Sequence, residues 1–246
     1  MAFVRKTRGR QFDSASGHKV LELMKLIKLV LKTFRTIILS DFRENQLSEY
    51  FANIIFKNVN SKNIKILDFG SGFNPKVILK LEDKLSTLGY ESKIHCVDFY
   101  SDNELEVLNS ESEIITFLNF NQFEIMDTQF DIVIISDVLH HIGIDRLEYD
   151  KNLKKALQSN FILIKDHFEY SLVTRYVLVF MDFIGNYNDS VSIPKKYFNI
   201  IEFSNFLEKN NLKILDKVNN IKLYSSIYFP FNLKKIQFIH LLKHKI

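Results

Sequence analysis

The sequence predicts an α/β protein with a mostly parallel central sheet, and three stretches carry that prediction. Ile64-Lys-Ile-Leu-Asp-Phe-Gly-Ser-Gly-Phe-Asn-Pro75 is an apolar run that ends in Asp68, followed by a turn with glycines at 70 and 72. Lys93-Ile-His-Cys-Val-Asp98 is a second apolar run that again ends in an acid. Phe130-Asp-Ile-Val-Ile-Ile-Ser-Asp-Val-Leu-His-His-Ile142 is a third, apolar enough for a strand buried on both faces, with its polar residues at the end. Strands of this kind alternating with helical stretches imply parallel pairing through crossovers.

The first stretch reads as strand, tight turn and helix start, the nucleotide-site geometry of an open α/β sheet. A backbone without Cβ can approach a ligand closely at Gly70 and Gly72. Pro75 suits the first helical turn, where its missing N–H costs nothing. Asp98 lies 26 residues past Gly72, near the distance at which a ribose-binding acid is expected. A dinucleotide site would place glycine at position 75, where this chain has proline. A ligand with a ribose but no pyrophosphate therefore fits the turn better, and a nucleotide-dependent oxidoreductase is disfavoured.

The order Asp68-x-Gly70-x-Gly72, Asp98, then Phe130-Asp-x-Val and Asp137-Val-Leu-His-His resembles class I S-adenosylmethionine-dependent methyltransferases, over about residues 64–164. The resemblance implies a Rossmann-like three-layer sandwich whose seven-stranded sheet is mostly parallel with an antiparallel last strand. It implies S-adenosyl-L-methionine as cofactor, with Asp68, Gly70, Ser71 and Gly72 under the methionine moiety and Asp98 and Phe99 at the ribose. Asn119 and Phe120, where the family usually has an acidic residue beside a small one, would lie next to adenine. Asp137 would stand between cofactor and substrate. Lys165-Asp-His, Asp182-x-x-Gly185-Asn186 and Pro194-x-x-Tyr197 together resemble a subset of bacterial methyltransferases.

Taken in order, residues 1–60 are expected to form a helical cover segment. Arg5, Lys6, Arg8 and Arg10 make a basic start without an apolar signal region behind it. Residues 19–39 read as an amphipathic helix whose polar stripe carries Glu22, Lys25, Lys28, Lys32 and Arg35, too charged to span a membrane. A helix packed over the site is preferred to one lying on an anionic membrane. A second helix over 44–56 carries Leu47, Tyr50, Phe51, Ile54 and Ile55 at helical spacing.

Residues 61–246 are expected to form the methyltransferase domain. Helices are predicted over 75–88, 104–108 and 146–157, with a further strand at 161–165. A lid insertion, about 168–196, includes an apolar helix over 170–183. A helix over 200–210 leads to a strand at 212–215, and 226–231 and 236–242 are expected to pair as terminal antiparallel strands. Pro230 fits an edge or bulge position.

Composition excludes several alternatives. At 246 residues and 46% hydrophobic the chain can bury a full core. One cysteine, Cys96, excludes a disulfide framework and points to a reducing, cytoplasmic setting. A net charge of +4 is too small to argue for nucleic acid, and no metal-ligand spacing is evident, so no metal is expected. For catalysis the expected base is His167, at a strand end where ligand sites of open sheets lie, oriented by Asp166 or Glu169. His141 is the competing candidate. The expected reaction is O-methylation of a partly hydrophobic small molecule, with C- or N-methylation, or a non-catalytic methyltransferase-like partner protein, as alternatives.

Overall fold

The structure is a computed structural model, and it describes residues 41–73, 75–112, 114–143, 146–147, 150–185, 194, 196–218, 221–224 and 236–245, with Leu29, Lys32 and Thr33. Those last three positions are helical and exposed, and the rest of the expected helix over 19–39 lies outside the described residues. No helix among the described residues is long and apolar enough to cross a membrane.

Helix α1 spans Asp41–Asn58, with Asp41 and Glu44 in its first turn and Lys57 in its last, the charge order that favours the helix dipole. Leu47, Phe51, Ile54 and Ile55 face inward at helical spacing. They meet Ile78, Leu81 and Leu85 of α2 (Lys76–Thr87), which opens after Pro75 and ends before Gly89. Lys84 pairs with Glu49 at 2.7 Å across these helices.

The seven strands are β1 (Asn63–Phe69), β2 (Glu91–Asp98), β3 (Ile115–Asn119), β4 (Ile132–Ser136), β5 (Phe161–His167), β6 (Leu212–Val218) and β7 (Gln237–His244). They stand in the order β3-β2-β1-β4-β5-β7-β6. All pairs from β3 to β5 are parallel, and β7 runs antiparallel to both β5 and β6. Successive residues feed opposite faces, as pleating requires. Ile64, Ile66, Ile132 and Ile134 join the layer under α1 and α2. Leu67, Phe69, Val133 and Ile135 join the other layer, with α6 (Lys151–Ala156) and α8 (Ile200–Lys209). The expected three-layer sandwich with one reversed strand is the fold observed.

The remaining helices are α3 (Asp102–Glu111), α4 (Phe120–Ile125), α5 (Leu139–Ile142) and α7 (Leu172–Gly185). Capping boxes at Ser101/Glu104, Asn119/Gln122 and Asn199/Glu202 start α3, α4 and α8, each satisfying otherwise orphaned backbone donors.

Three expectations change. The helix expected over 146–157 is confined to Lys151–Ala156, because Asp150 caps it by accepting from the Leu153 N–H. Strand β5 continues past Lys165 to His167, because Asp166 and His167 find ladder partners in Phe238 and Gln237 of β7. Strand β7 pairs with β5 on one edge and β6 on the other, while the expected partner strand over 226–231 lies outside the described residues. Pro230 and residues 186–193 of the expected lid also lie outside them.

Candidate active site

The carboxyl ends of β1 and β4 adjoin where the strand order reverses, the place where open α/β sheets bind ligands. A cleft of about 650 Å³ opens there, within the range of small-molecule sites. Gly70, Gly72, Asp98, Phe99, Phe120, Asp137 and His141 line it.

The turn after β1 is tied to β2. The N–H groups of Gly70 and Ser71 donate to the Val97 carbonyl at 2.8 and 3.3 Å. Gly70 has φ +78°, and a Cβ there would meet Val138 Cγ2 at 2.4 Å. Gly72, at φ +68°, has nothing within 4 Å of a Cβ. The Tyr100 hydroxyl is 2.6 Å from the Ser71 hydroxyl and donates to the Gly72 carbonyl at 2.5 Å, which fixes the loop from below.

Asp98 closes the turn from the other side. Its Oδ2 accepts from the Gly72 N–H and its Oδ1 from the Phe99 N–H, each at 2.7 Å. An ionised carboxylate has about four acceptor positions, so two remain for a ligand in the cleft. Asp68 sits one strand residue deeper and does not line the cleft. Burial first, and the Asp98 charge second, push its carboxyl up to about 8.

Phe99 and Phe120 stand edge to face with centroids 4.6 Å apart, and Phe99 is 84% exposed. They offer an apolar wall to a flat ring. Asn119 is half-buried, and its side chain accepts from the Gln122 N–H at 2.9 Å to cap α4.

Asp137 adopts φ +59°, an uncommon backbone for a residue other than glycine and one concentrated at functional sites. Its carboxylate accepts from Arg43 at 2.8 Å and from Lys165 at 2.5 Å. Burial opposes its ionisation, but the Lys165 ammonium, with the Arg43 guanidinium, holds it well below the usual carboxylate range.

Behind Asp137 lies an imidazole–carboxylate cluster. His167 is only 4% exposed and does not line the cleft; its Nε2 is 3.4 Å from Lys165 Nζ. Burial first and Lys165 second push its imidazole down, so it is neutral. Asp166 is fully buried, accepts from the His167 N–H at 2.7 Å, and lies 2.5 Å from His140 Nδ1. Burial works against charge on His140, but Asp166 overrides it and raises the imidazole to about 9. His141 is the imidazole that reaches the cleft, and burial together with the His140 charge keeps it neutral. Lys165 to His167 are thus interior.

From the sequence, Arg43 and Lys165 have no assigned chemistry, and His140 only a capping or packing place beside His141. Arg43 carried a signal, a charge one helical turn before Leu47 on the buried stripe of α1. Asp182 carried another, as the one acid within α7.

No protein-family model matches the chain, and no curated protein matches it. Solved structures do. The chain superposes on magnesium protoporphyrin IX methyltransferase (ChlM) from Synechocystis PCC 6803 with bound SAH at TM-score 0.53 and 14% identity, covering 82% of this chain and 84% of that one. The plantazolicin methyltransferase BpumL in complex with SAH gives TM-score 0.53 and 14% identity, over 89% of this chain and 90% of that one. The mitomycin 7-O-methyltransferase MmcR gives TM-score 0.53 and 15% identity over 82% of this chain, which spans about half (53%) of that protein. At these identities the likeness is one of fold, and the fold is that of the S-adenosylmethionine-dependent methyltransferases.

Proposed function

We propose that this protein is an S-adenosylmethionine-dependent methyltransferase that methylates an oxygen of a small, partly hydrophobic molecule. The observation that carries the reading is Asp98: two backbone N–H groups pin its carboxylate, and its remaining acceptor positions suit a ribose diol beside a cleft of about 650 Å³. The open space over Gly72 is further support, because a ligand can lie against that backbone.

In this reading residues 1–60 form a cover segment, and residues 168–196 a lid, on a domain running from 61 to 246. Gly70, Ser71 and Gly72 cradle the methionine moiety over Asp68. Phe99 and Phe120 flank the adenine, with Asn119 holding the start of α4 beside it. Asp137, fixed by Arg43 and Lys165, keeps a rigid wall between cofactor and acceptor.

S-adenosylmethionine supplies a methyl group on a sulfonium already disposed to leave. The chain has to align the acceptor and dispose of its proton. That second task falls to the cluster headed by His141, which lines the cleft as a neutral imidazole, with Asp166 and His167 positioned behind it. His167 is buried and does not line the cleft, so His141 takes precedence over it.

The test is methyl transfer. Incubated with methyl-labelled S-adenosylmethionine and a set of hydroxylated aromatic and aliphatic compounds, the protein is expected to release S-adenosylhomocysteine only with an acceptor. His141→Ala should lower that rate by about 10²–10⁴, the usual contribution of proton transfer, and leave cofactor affinity unchanged. Turnover confined to amine or carbon acceptors would replace the oxygen assignment.

A further inference from the structure

The cofactor turn leaves a buried group of ligand-type atoms unexplained. His140 is 1% exposed, and its Nδ1 lies 2.5 Å from Asp166 Oδ1. That contact turns its Nε2 toward α7, 3.5 Å from Asp182 Oδ2. The approach does not make a hydrogen bond, and Nε2 is buried with no hydrogen-bond partner. His141 likewise buries Nδ1 without a hydrogen-bond partner, and the two imidazoles stack with centroids 4.2 Å apart. One ligand atom each from His140, His141 and Asp182 all lie within 4.8 Å of one another. Tyr197 donates its hydroxyl to Asp182 Oδ2 at 2.5 Å, fixing the carboxylate from outside.

Unsatisfied buried nitrogens are rare enough to need a reason. An ion that displaces the proton from His140 Nε2 would meet two imidazole lone pairs and one carboxylate, a donor set for divalent transition metals. The contact of His140 Nδ1 with Asp166 is the outer-sphere arrangement that fixes the tautomer and orientation of a metal-binding histidine. Metal–ligand distances of about 2.0–2.2 Å require the three atoms to draw inward by less than about 1 Å each. A second grouping, His140 with Asp166 and His167, is disfavoured, because the Lys165 ammonium sits 3.4 Å from His167 Nε2 and already supplies positive charge there.

We propose that His140 Nε2, His141 Nδ1 and a carboxylate oxygen of Asp182 form a binding site for one divalent transition-metal ion, of the zinc, cobalt or manganese type, at the edge of the cleft. The binding itself does not depend on the methyl-transfer reading. Its role does: His141 lines the cleft, so the ion's charge beside an acceptor hydroxyl would favour the ionised oxygen, its proton passing to water in the cleft; His141 would be a ligand in the metal-loaded protein and the proton acceptor in the metal-free one.

The experiment uses the full chain without a histidine tag, stripped with chelator. Titration with cobalt(II) chloride is expected to give visible d–d absorption that saturates at one ion per chain, and calorimetry with zinc chloride the same stoichiometry. His141→Gln, at the cleft surface, and Asp182→Asn should each weaken binding at least about tenfold, by loss of a ligand where even loss of an outer partner costs 10–100-fold. His244→Ala, far from the cluster in β7, should bind as the parent does. Absence of cobalt bands and zinc heat would mean that His140 carries only a proton between the two carboxylates, and would overturn the proposal. So would affinity unchanged in both cluster variants. S-adenosylmethionine calorimetry on the stripped protein is run alongside, so that loss of the metal site and loss of the cofactor reading are seen separately.

Discussion

Asp98 is held so tightly that its side chain has one available use. Both oxygens already accept from backbone donors, and the residue lines the cleft, so any further acceptor position is for a ligand there. The two glycines opposite it carry different constraints. At Gly70 a Cβ collides with Val138 and the φ is left-handed, so Gly70→Val should abolish cofactor binding while the fold persists. At Gly72 only the φ matters, so Gly72→Ala should lower stability by about 1–2 kcal/mol and leave a weakened but measurable site. Denaturant unfolding together with binding isotherms separates the two effects; equal behaviour would remove the steric account.

Asp68 gives a pH signature. Its carboxyl is raised to about 8 in the fold, against about 3.9 in an unfolded chain. Between those values the folded state holds a proton that the unfolded state lacks, so this contribution is full below about 4 and is lost as pH rises through 8. Asp68→Asn cannot titrate. In unfolding measurements at pH 5 and pH 9 the variant should lose less stability than the parent over that interval, and an identical slope would show that Asp68 is not buried as described.

At the scale of elements, the site is a consequence of how β4 and β5 end. Asp137 follows β4 and His167 closes β5, and α5 brings His140 back over both. The His140–Asp166 contact joins α5 to β5 with both side chains fully buried. His140→Gln leaves a buried carboxylate without its ionic partner, which costs about 3–5 kcal/mol in comparable cases. Urea unfolding of the metal-free variant at pH 7 checks this, and a loss below about 1 kcal/mol would mean that the contact contributes little.

The elements also show what a sequence can and cannot carry. Runs such as Ile64–Phe69 and Ile132–Ser136 are legible because both faces of a parallel strand are buried, and a local apolar string records that. The glycine turn and Asp98 are legible because their spacing is set by one strand–turn–helix unit. The extension of β5 to His167 is not, since it depends on β7, about 70 residues further on in sequence. Strand β3 is not legible, because Thr116 and Asn119 break its apolar string, whereas β4, of the same length, is apolar up to Ser136. The approach of His140 to Asp182 joins separate elements, and no local pattern encodes such a contact.

For the whole molecule, one edge of one sheet gathers the chemistry. The carboxyl ends of β1, β2, β3 and β4 deliver the glycine turn, Asp98, Asn119 and Asp137 to neighbouring positions, while two apolar layers make the frame beneath them rigid. The central claim is that this edge binds S-adenosylmethionine. Isothermal calorimetry with that compound on the purified full chain tests it most directly. The account predicts one molecule bound per chain, affinity weakened by about 1.5–3 kcal/mol in Asp98→Ala from loss of hydrogen bonds to a charged group, and no heat with NAD. A folded parent that gives no heat with S-adenosylmethionine, or an Asp98→Ala variant that binds it equally well, would contradict the account.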